Sequence, residues 1–411
     1  MAVAAHVLEH AARSPGRVAL VGPEEEVTYA ELAERVKARD VRAAAGPAVI
    51  SVKDPVAALT QALAADLAGI TPLVCDDRAA RLLDSTSPSV SLGLLAEGGW
   101  ACFTSGSTGR PRAVVRSRAS WTDSFRHLDR LSGIGPGDVV LIPGPLVTSL
   151  YAFAAAHALG TGATAIVPGR WSLEHLDRAT AVHLVPHQLP AVLPKPASLR
   201  VAVVGGAALD PAARDRATRA GLRVLSYYGA SELSFVAADP DGTGLRAFPE
   251  VEIEVRAGEV WVRSPWLADG YLACASGPLR RDAAGWATVG DLAEPYRPGG
   301  VLRVRGRGDG AIQTGGATVV PEDVEAVLRR VPGVADAVVV GAPHPDLGAV
   351  VCAVVEGPVR RAALEAAARE GLDRVQRPRR WYAAESLPRT PSGKPARARI
   401  AETLTGFRRL A

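Results

Sequence analysis

The chain has 411 residues, 48% hydrophobic and 22% charged, which is enough apolar material for two domains and too much for a disordered polymer. Its 47 Lys and Arg against 43 Asp and Glu leave a net charge of +4 with the two signs interleaved, so there is no basic stripe of the kind that follows nucleic acid. Forty-one Gly and 31 Pro keep no period, which excludes collagen-like and low-complexity chains, and Cys75, Cys102, Cys274 and Cys352 have neither disulfide-framework nor zinc spacing, pointing to the reducing cytoplasm.

At the N-terminus, Glu9 and Arg13 interrupt the stretch that a secretory leader would need apolar, so no leader is expected. Short β-branched runs at 48–52, 139–143, 163–168, 182–186, 199–206 and 223–229 alternate with Ala-rich segments of helical spacing. They predict a mostly parallel sheet with helices on its faces, and ligand loops at the carboxyl ends of the strands. The uncharged run 150–168 has the length of a membrane span, but His157, Gly160 and Gly162 interrupt it; it predicts a helix capped at Gly160 and then a buried strand over 163–167. From residue 250 apolar and polar residues alternate around Gly258, as in an antiparallel hairpin. A glycine-rich stretch at 305–316 then precedes a helix whose start is marked by Pro321, Glu322 and Asp323. Strands over 334–344 and 349–356 and a helix over 363–372, ending at Gly371, complete a second compact unit. The expectation is an α/β protein: a large N-terminal domain (1–307) of mixed, mostly parallel sheets with flanking helices, and a small α+β C-terminal domain (308–411) on a hinge.

The strongest chemical signal is the run from Phe103 to Arg112, FTSGSTGRPR, directly after an apolar strand-like stretch. Glycines let backbone amides approach a polyphosphate, and Ser and Thr hydroxyls add donors. The run lacks the lysine of a Walker A loop, and by itself such a loop is more often a surface turn.

This run and seven other segments, in the same order, are similar to the adenylate-forming superfamily, in its acyl-CoA synthetase branch. The segments are VTYAEL (27–32), TSGSTGRPR (104–112), VVGGAAL (203–209), YYGASE (227–232), VGDLA (289–293), GRGD (306–309), GGATVVPEDVE (315–325) and PRTPSGKPAR (388–397). The resemblance implies a two-domain enzyme that joins a carboxylate to the α-phosphate of ATP, expels pyrophosphate, and then forms a thioester with CoA. Two anions meet in the first step, so the site must neutralise charge by positioned donors without offering a covalent nucleophile.

Residue by residue, the resemblance assigns Thr104, Ser105, Gly106, Ser107, Thr108, Gly109 and Arg112 to the phosphates, and Gly206, Ala207, Tyr228 and Gly229 to the adenine and acyl segments. It gives Asp291 to the ribose hydroxyls and Arg307 to the ribose or phosphate. Glu232, with Thr104, would hold Mg²⁺, a hard cation suited to oxygen ligands, and Ser231 and Glu232 would stand with Lys394 as the catalytic set. Lys394 is one of only four lysines, with Lys37, Lys53 and Lys195, among the 47 basic residues. In the family it contacts the carboxylate and phosphate oxygens as a flexible point charge. Asp309 would be the pivot about which the small domain turns between the two half-reactions.

Gly315 and Gly316 stand where acid:CoA ligases carry a glycine pair beside the pantetheine arm, which implies CoA as acceptor. Thr148, His187 and Gly205 are candidate acyl-pocket residues, and Thr148 occupies the place where amino-acid-activating relatives put an Asp, so an α-amino acid is disfavoured. Three departures stand out: Arg112 replaces a lysine, Ser231 replaces a threonine, and the phosphate loop begins at residue 104, which implies a shortened N-terminal subdomain. His127, His157, His183 and His187 have no metal-ligand spacing, and Arg374, Arg377, Arg379 and Arg380 read as a solvated face more readily than as a CoA phosphate site. Two other readings stand beside the CoA ligase: transfer of the acyl group to a carrier protein or an amine, and a nucleotide-binding relative without catalysis. No nucleic-acid or membrane partner is expected.

Overall fold

The computed structural model describes residues 1–41, 46–51, 53–76, 98–104, 112–272, 277–307, 310–314, 317–345, 347–391 and 393–410. The candidate residues Ser105, Gly106, Ser107, Thr108, Gly109, Asp309, Gly315 and Gly316 fall outside them.

Four sheets organise the described residues. The largest has nine strands and runs from Arg246–Ala247 through Ser234–Asp239, Arg223–Ala230, Val201–Val204, Ala181–Leu184, Val139–Leu141, Thr164–Ile166 and Val18–Val21 to Glu26–Thr28. The six strands from Arg223–Ala230 to Val18–Val21 are parallel, and antiparallel strands close both edges. The uninterrupted β-branched and apolar run Val201–Val204 is buried at every residue, as burial on both faces requires. A five-stranded sheet orders Gly270–Tyr271, Ala113–Ser117, Gly99–Phe103, Pro72–Cys75 and Ala48–Ser51, and its strands 99–103 and 113–117 flank the hydroxyl-rich loop.

The third sheet is antiparallel and contains the expected hairpin, Glu252–Arg256 against Glu259–Arg263. Its turn residues Ala257 and Gly258 both have positive φ (50° and 84°), the geometry whose twist matches paired strands. That sheet ends at Val304–Arg307, whereas Ile312–Thr314 opens the fourth, in which Asp336–His344 and Gly348–Glu356 pair over their full nine residues. The core clusters keep the same division: none mixes residues up to Leu302 with residues from Ile312 onward.

Helices form where caps and apolar stripes coincide. The VTYAEL segment is a helix start: Thr28 and Glu31 make a reciprocal capping box for Tyr29–Ala38. The Tyr29 hydroxyl bonds the carbonyls of Leu159 and Ala163, bolting this helix to the end of Ser149–Thr161. Pro55–Leu67 is capped by the Asp54 carboxylate with Pro at its first position.

The helix end expected at Gly160 lies two residues further on. Gly162, at φ 86°, is the left-handed cap, while Gly160 stays helical because a side chain there would meet the Phe125 ring at 2.6 Å. Close packing, not termination, explains that glycine. Among the described residues no helix is long and apolar enough to cross a membrane.

Candidate active site

The site grows from the hairpin that joins strands Arg223–Ala230 and Ser234–Asp239. Leu233 N–H donates to the Ala230 carbonyl, and Ser234 follows at φ 60°, the pattern of a three-residue connection with a left-handed residue closing it. Gly229 is required here, since a Cβ would lie 2.1 Å from the Ser234 carbonyl oxygen. The tight connection turns Glu232 inward, leaving it 4% exposed. Tyr271 donates its hydroxyl to Glu232 Oε1 at 2.9 Å, and Ala268 N–H donates to the Glu232 carbonyl. Burial and the Glu232 carboxylate push the Tyr271 phenol well above its ordinary range, so it stays a donor. Ser231 shares a 2.6 Å hydrogen bond with Ser149, at the start of the helix Ser149–Thr161.

Tyr271 pairs with Val114 in the five-stranded sheet, so Glu232 of one sheet and the strand leaving the hydroxyl-rich loop meet at one point. Arg116 on that strand reinforces the junction. Its guanidinium is fully buried, bonds the Ser120 carbonyl and the Ser234 hydroxyl (2.8 Å), and lies over the Trp121 ring. Desolvation lowers its pKa to about 10, still charged at neutral pH. The two ends of the loop are closed by Thr104 N–H donating to the Arg112 carbonyl at 2.8 Å.

On the other side, Tyr228 donates to Asp291 Oδ2 at 2.8 Å, joining the nine-stranded sheet to the third sheet. Asp291 is 7% exposed and stands opposite Arg307 in the antiparallel register; the Arg307 side chain lies outside the described residues. Gly205 admits the Tyr227 ring, which a Cβ would meet at 2.1 Å, and Gly206 turns at φ 89°. Ala207 is exposed at the rim beyond it.

Against Gly206 lies Lys394. Its Cε stands 3.1 Å and its Nζ 3.6 Å from where a Gly206 Cβ would be. The preceding Gly393, at φ 82°, packs against the His187 imidazole and Val185. The loop is a tight turn, with Thr390 N–H donating to the Lys394 carbonyl and Gly393 N–H to the Thr390 carbonyl. Burial and the nearby Arg389 lower the His187 imidazole to about 4, so it is neutral at physiological pH. His187 lines a cavity of about 410 Å³ beside this turn; Thr148 and Gly205 do not. Thr148 instead donates its hydroxyl to the Pro145 carbonyl and heads the helix at 149.

Long-range contacts thus place Tyr271 on Glu232, Ser149 on Ser231, Tyr228 on Asp291 and Lys394 on Gly206, and the bond between Thr104 and Arg112 closes the base of the loop. Comparison with known proteins identifies what such an arrangement belongs to. The sequence model described as AMP-binding enzyme matches residues 100–272, and that described as AMP-binding enzyme C-terminal domain matches 323–394. An uncharacterized acyl–CoA ligase, YhfT of Bacillus subtilis, is 33% identical over 334 residues, 74% of this chain and 68% of that protein. The chain belongs to the AMP-binding enzyme family.

A probable 2-succinylbenzoate–CoA ligase of Mycobacterium tuberculosis is also 33% identical, over 74% of this chain and 84% of its own. Among solved structures, ATP-bound MatB from Rhodopseudomonas palustris superposes with a TM-score of 0.82 at 22% identity, covering 98% of this chain and 99% of that one. The amide bond synthetase McbA from Marinactinospora thermotolerans gives 0.77 at 26% identity, over 98% and 99%. The expected adenylate-forming superfamily, its α/β fold and its AMP-forming acid:CoA ligase type therefore hold for this AMP-binding enzyme.

Sequence reading missed Tyr271, Ser149 and Arg116 as partners of the cleft. No motif carries them; they come from a second sheet and a helix that only folding brings to the 231–234 turn.

Proposed function

We propose that this AMP-binding enzyme activates a carboxylic acid with ATP and passes the acyl group to CoA, with Lys394, Glu232 and Ser231 as the working residues. In the first step a carboxylate oxygen bonds to the α-phosphorus and the bond to pyrophosphate breaks. In the second, the CoA thiol sulfur bonds to the acyl carbon, its proton passes to solvent, and AMP leaves. Lys394 Nζ neutralises the joining carboxylate and phosphate oxygens, a charge that develops only as they approach. Thr104, Arg112 and the loop 105–109 take the β- and γ-phosphates, Tyr228 with Gly206, Ala207 and Gly229 forms the adenine wall, and Asp291 with Arg307 takes the ribose. Ser231 holds the turn through Ser149.

Glu232 fits Mg²⁺. It is a buried carboxylate with one oxygen held by Tyr271, and this cation takes one or two carboxylates together with substrate phosphates. Bound there, Mg²⁺ would supply charge neutralisation at the phosphates. The change of sheet between Arg307 and Ile312 supports two bodies, 1–307 and 308–411, with Asp309 as pivot and Gly316 beside the path of the pantetheine arm. Of the acyl-pocket candidates, His187 is the one with support from its surroundings.

The observation that carries the reading is Lys394 lying on Gly206, a cation from the fourth sheet's body brought against the glycine turn of the large body. The test supplies ATP, Mg²⁺ and a panel of acids. Pyrophosphate should appear with the matching acid, and AMP with thioester only when CoA is added. No acid-dependent pyrophosphate exchange would refute the reading; exchange with acyl transfer to an amine or a carrier protein, and none to CoA, would move the acceptor.

A further inference from the structure

The cavity of about 410 Å³ beside the lysine turn has walls from two parts of the chain. Pro145, Tyr151, Trp171 and Ala191 come from the large body, and Arg389 and Pro391 from the lysine turn itself. Such a volume lies near the lower end of small-molecule sites, roughly 300–1,000 Å³. Gly393 lines it and Lys394 is the next residue, so the cavity adjoins the point where the acid's carboxylate is held under the function proposed above.

The walls are apolar and aromatic, with Trp171 at 43% exposure standing open at the mouth. Two side chains could carry charge. Arg389 is engaged by Asp336 at 3.0 Å and Glu356 at 3.4 Å, so a ligand carboxylate would have to compete with two carboxylates of the chain for it. His187 stands opposite, uncharged at neutral pH. The Gln188 side-chain oxygen is turned away into the wall, accepting from the Tyr151 hydroxyl and from Val185 N–H. A second carboxylate buried here would lose its water without gaining a counter-ion free of other carboxylates, whereas an uncharged hydrocarbon group gains by leaving water.

We propose that this cavity receives the tail of the acid substrate and selects acids with a short, uncharged aromatic or aliphatic tail, rejecting dicarboxylates. The inference rests on the acid-activating function above and narrows it. It also separates this chain from relatives whose named substrate, 2-succinylbenzoate, carries a second carboxylate.

Matched pairs test it: hexanoate against adipate, and 3-phenylpropanoate against 3-(4-carboxyphenyl)propanoate, each followed by pyrophosphate release and by calorimetric binding. The uncharged member should show at least a tenfold higher kcat/KM in both pairs. Ala191→Trp, at an exposed position of the cavity wall, should raise KM for 3-phenylpropanoate at least fivefold while leaving KM for ATP and for acetate unchanged; Trp171→Ala should raise the same KM. Equal or better turnover of the dicarboxylates, or a KM for 3-phenylpropanoate indifferent to both substitutions, would overturn the proposal. Binding of 3-phenylpropanoate that Ala191→Trp abolishes, with no pyrophosphate released from any acid, would instead overturn the function and leave the cavity's selectivity standing.

Discussion

His183 shows how one buried group carries a pH dependence. It lies in the central strand Ala181–Leu184 at 2% exposure, with Nε2 buried and without a hydrogen-bond partner among the described residues, and the His157 ring centroid is 6.5 Å away. Desolvation, aided by His157, lowers its pKa from 6.5 to about 3. The folded chain therefore keeps it neutral where the unfolded chain takes up a proton. Stability from this group is complete above pH 6.5 and is lost as pH falls from 6.5 toward 3. Urea midpoints measured from pH 7 to 4 should fall more gently for His183→Leu than for the natural chain; identical slopes would contradict the assignment. Glu232, by contrast, was readable as a candidate site residue because its motif names it, while its donor Tyr271 was not, since nothing in the sequence marks a tyrosine 39 residues away as its partner.

At the scale of elements, hydrophobic periodicity and glycine placement did most of the positioning. The parallel strands, the hairpin at 258 and the nine-residue pair 336–344 with 348–356 appear within a few residues of where the patterns put them. The error at Gly160 is instructive, because a glycine can serve a close contact as well as a turn, and the Phe125 ring that demands it is remote in sequence. The hairpin turn itself is imperfect: Ala257 sits at φ 50°, where an L-residue with a Cβ is strained and Asn is tolerated. Ala257→Asn is expected to stabilise the chain by up to about 1 kcal/mol, seen as a higher urea midpoint at unchanged slope. A lower midpoint would mean that the turn is not strained as described.

For the molecule as a whole, the decisive relation is between the lysine turn and the cleft. Lys394→Ala should lower acid-dependent pyrophosphate release by about 10²–10³, the usual consequence of removing one electrostatic donor. Thioester formation from supplied acyl-adenylate and CoA should persist within about threefold if, as proposed above, the two half-reactions use different arrangements of the bodies. Equal loss of both would show that one fixed arrangement serves both steps. Around the junction between the bodies, Arg305 pairs with Asp323, and Glu322 packs against Gly306 while pairing with Arg397 at 2.9 Å. Contacts of this kind hold the arrangement seen here, in which Lys394 reaches Gly206.

By itself the amino-acid order determined the architecture and the motifs that mark the candidate site, because strand and helix periods are local properties and each motif keeps its spacing within a dozen residues. The partners of those residues were decided only in three dimensions: Tyr271 and Arg116 around the Glu232 turn, Tyr228 on Asp291, and the carboxylates that engage Arg389 at the cavity. Burial, charge pairing and cavity shape arise between segments far apart in the chain, and a linear pattern holds no record of how such surfaces close upon one another.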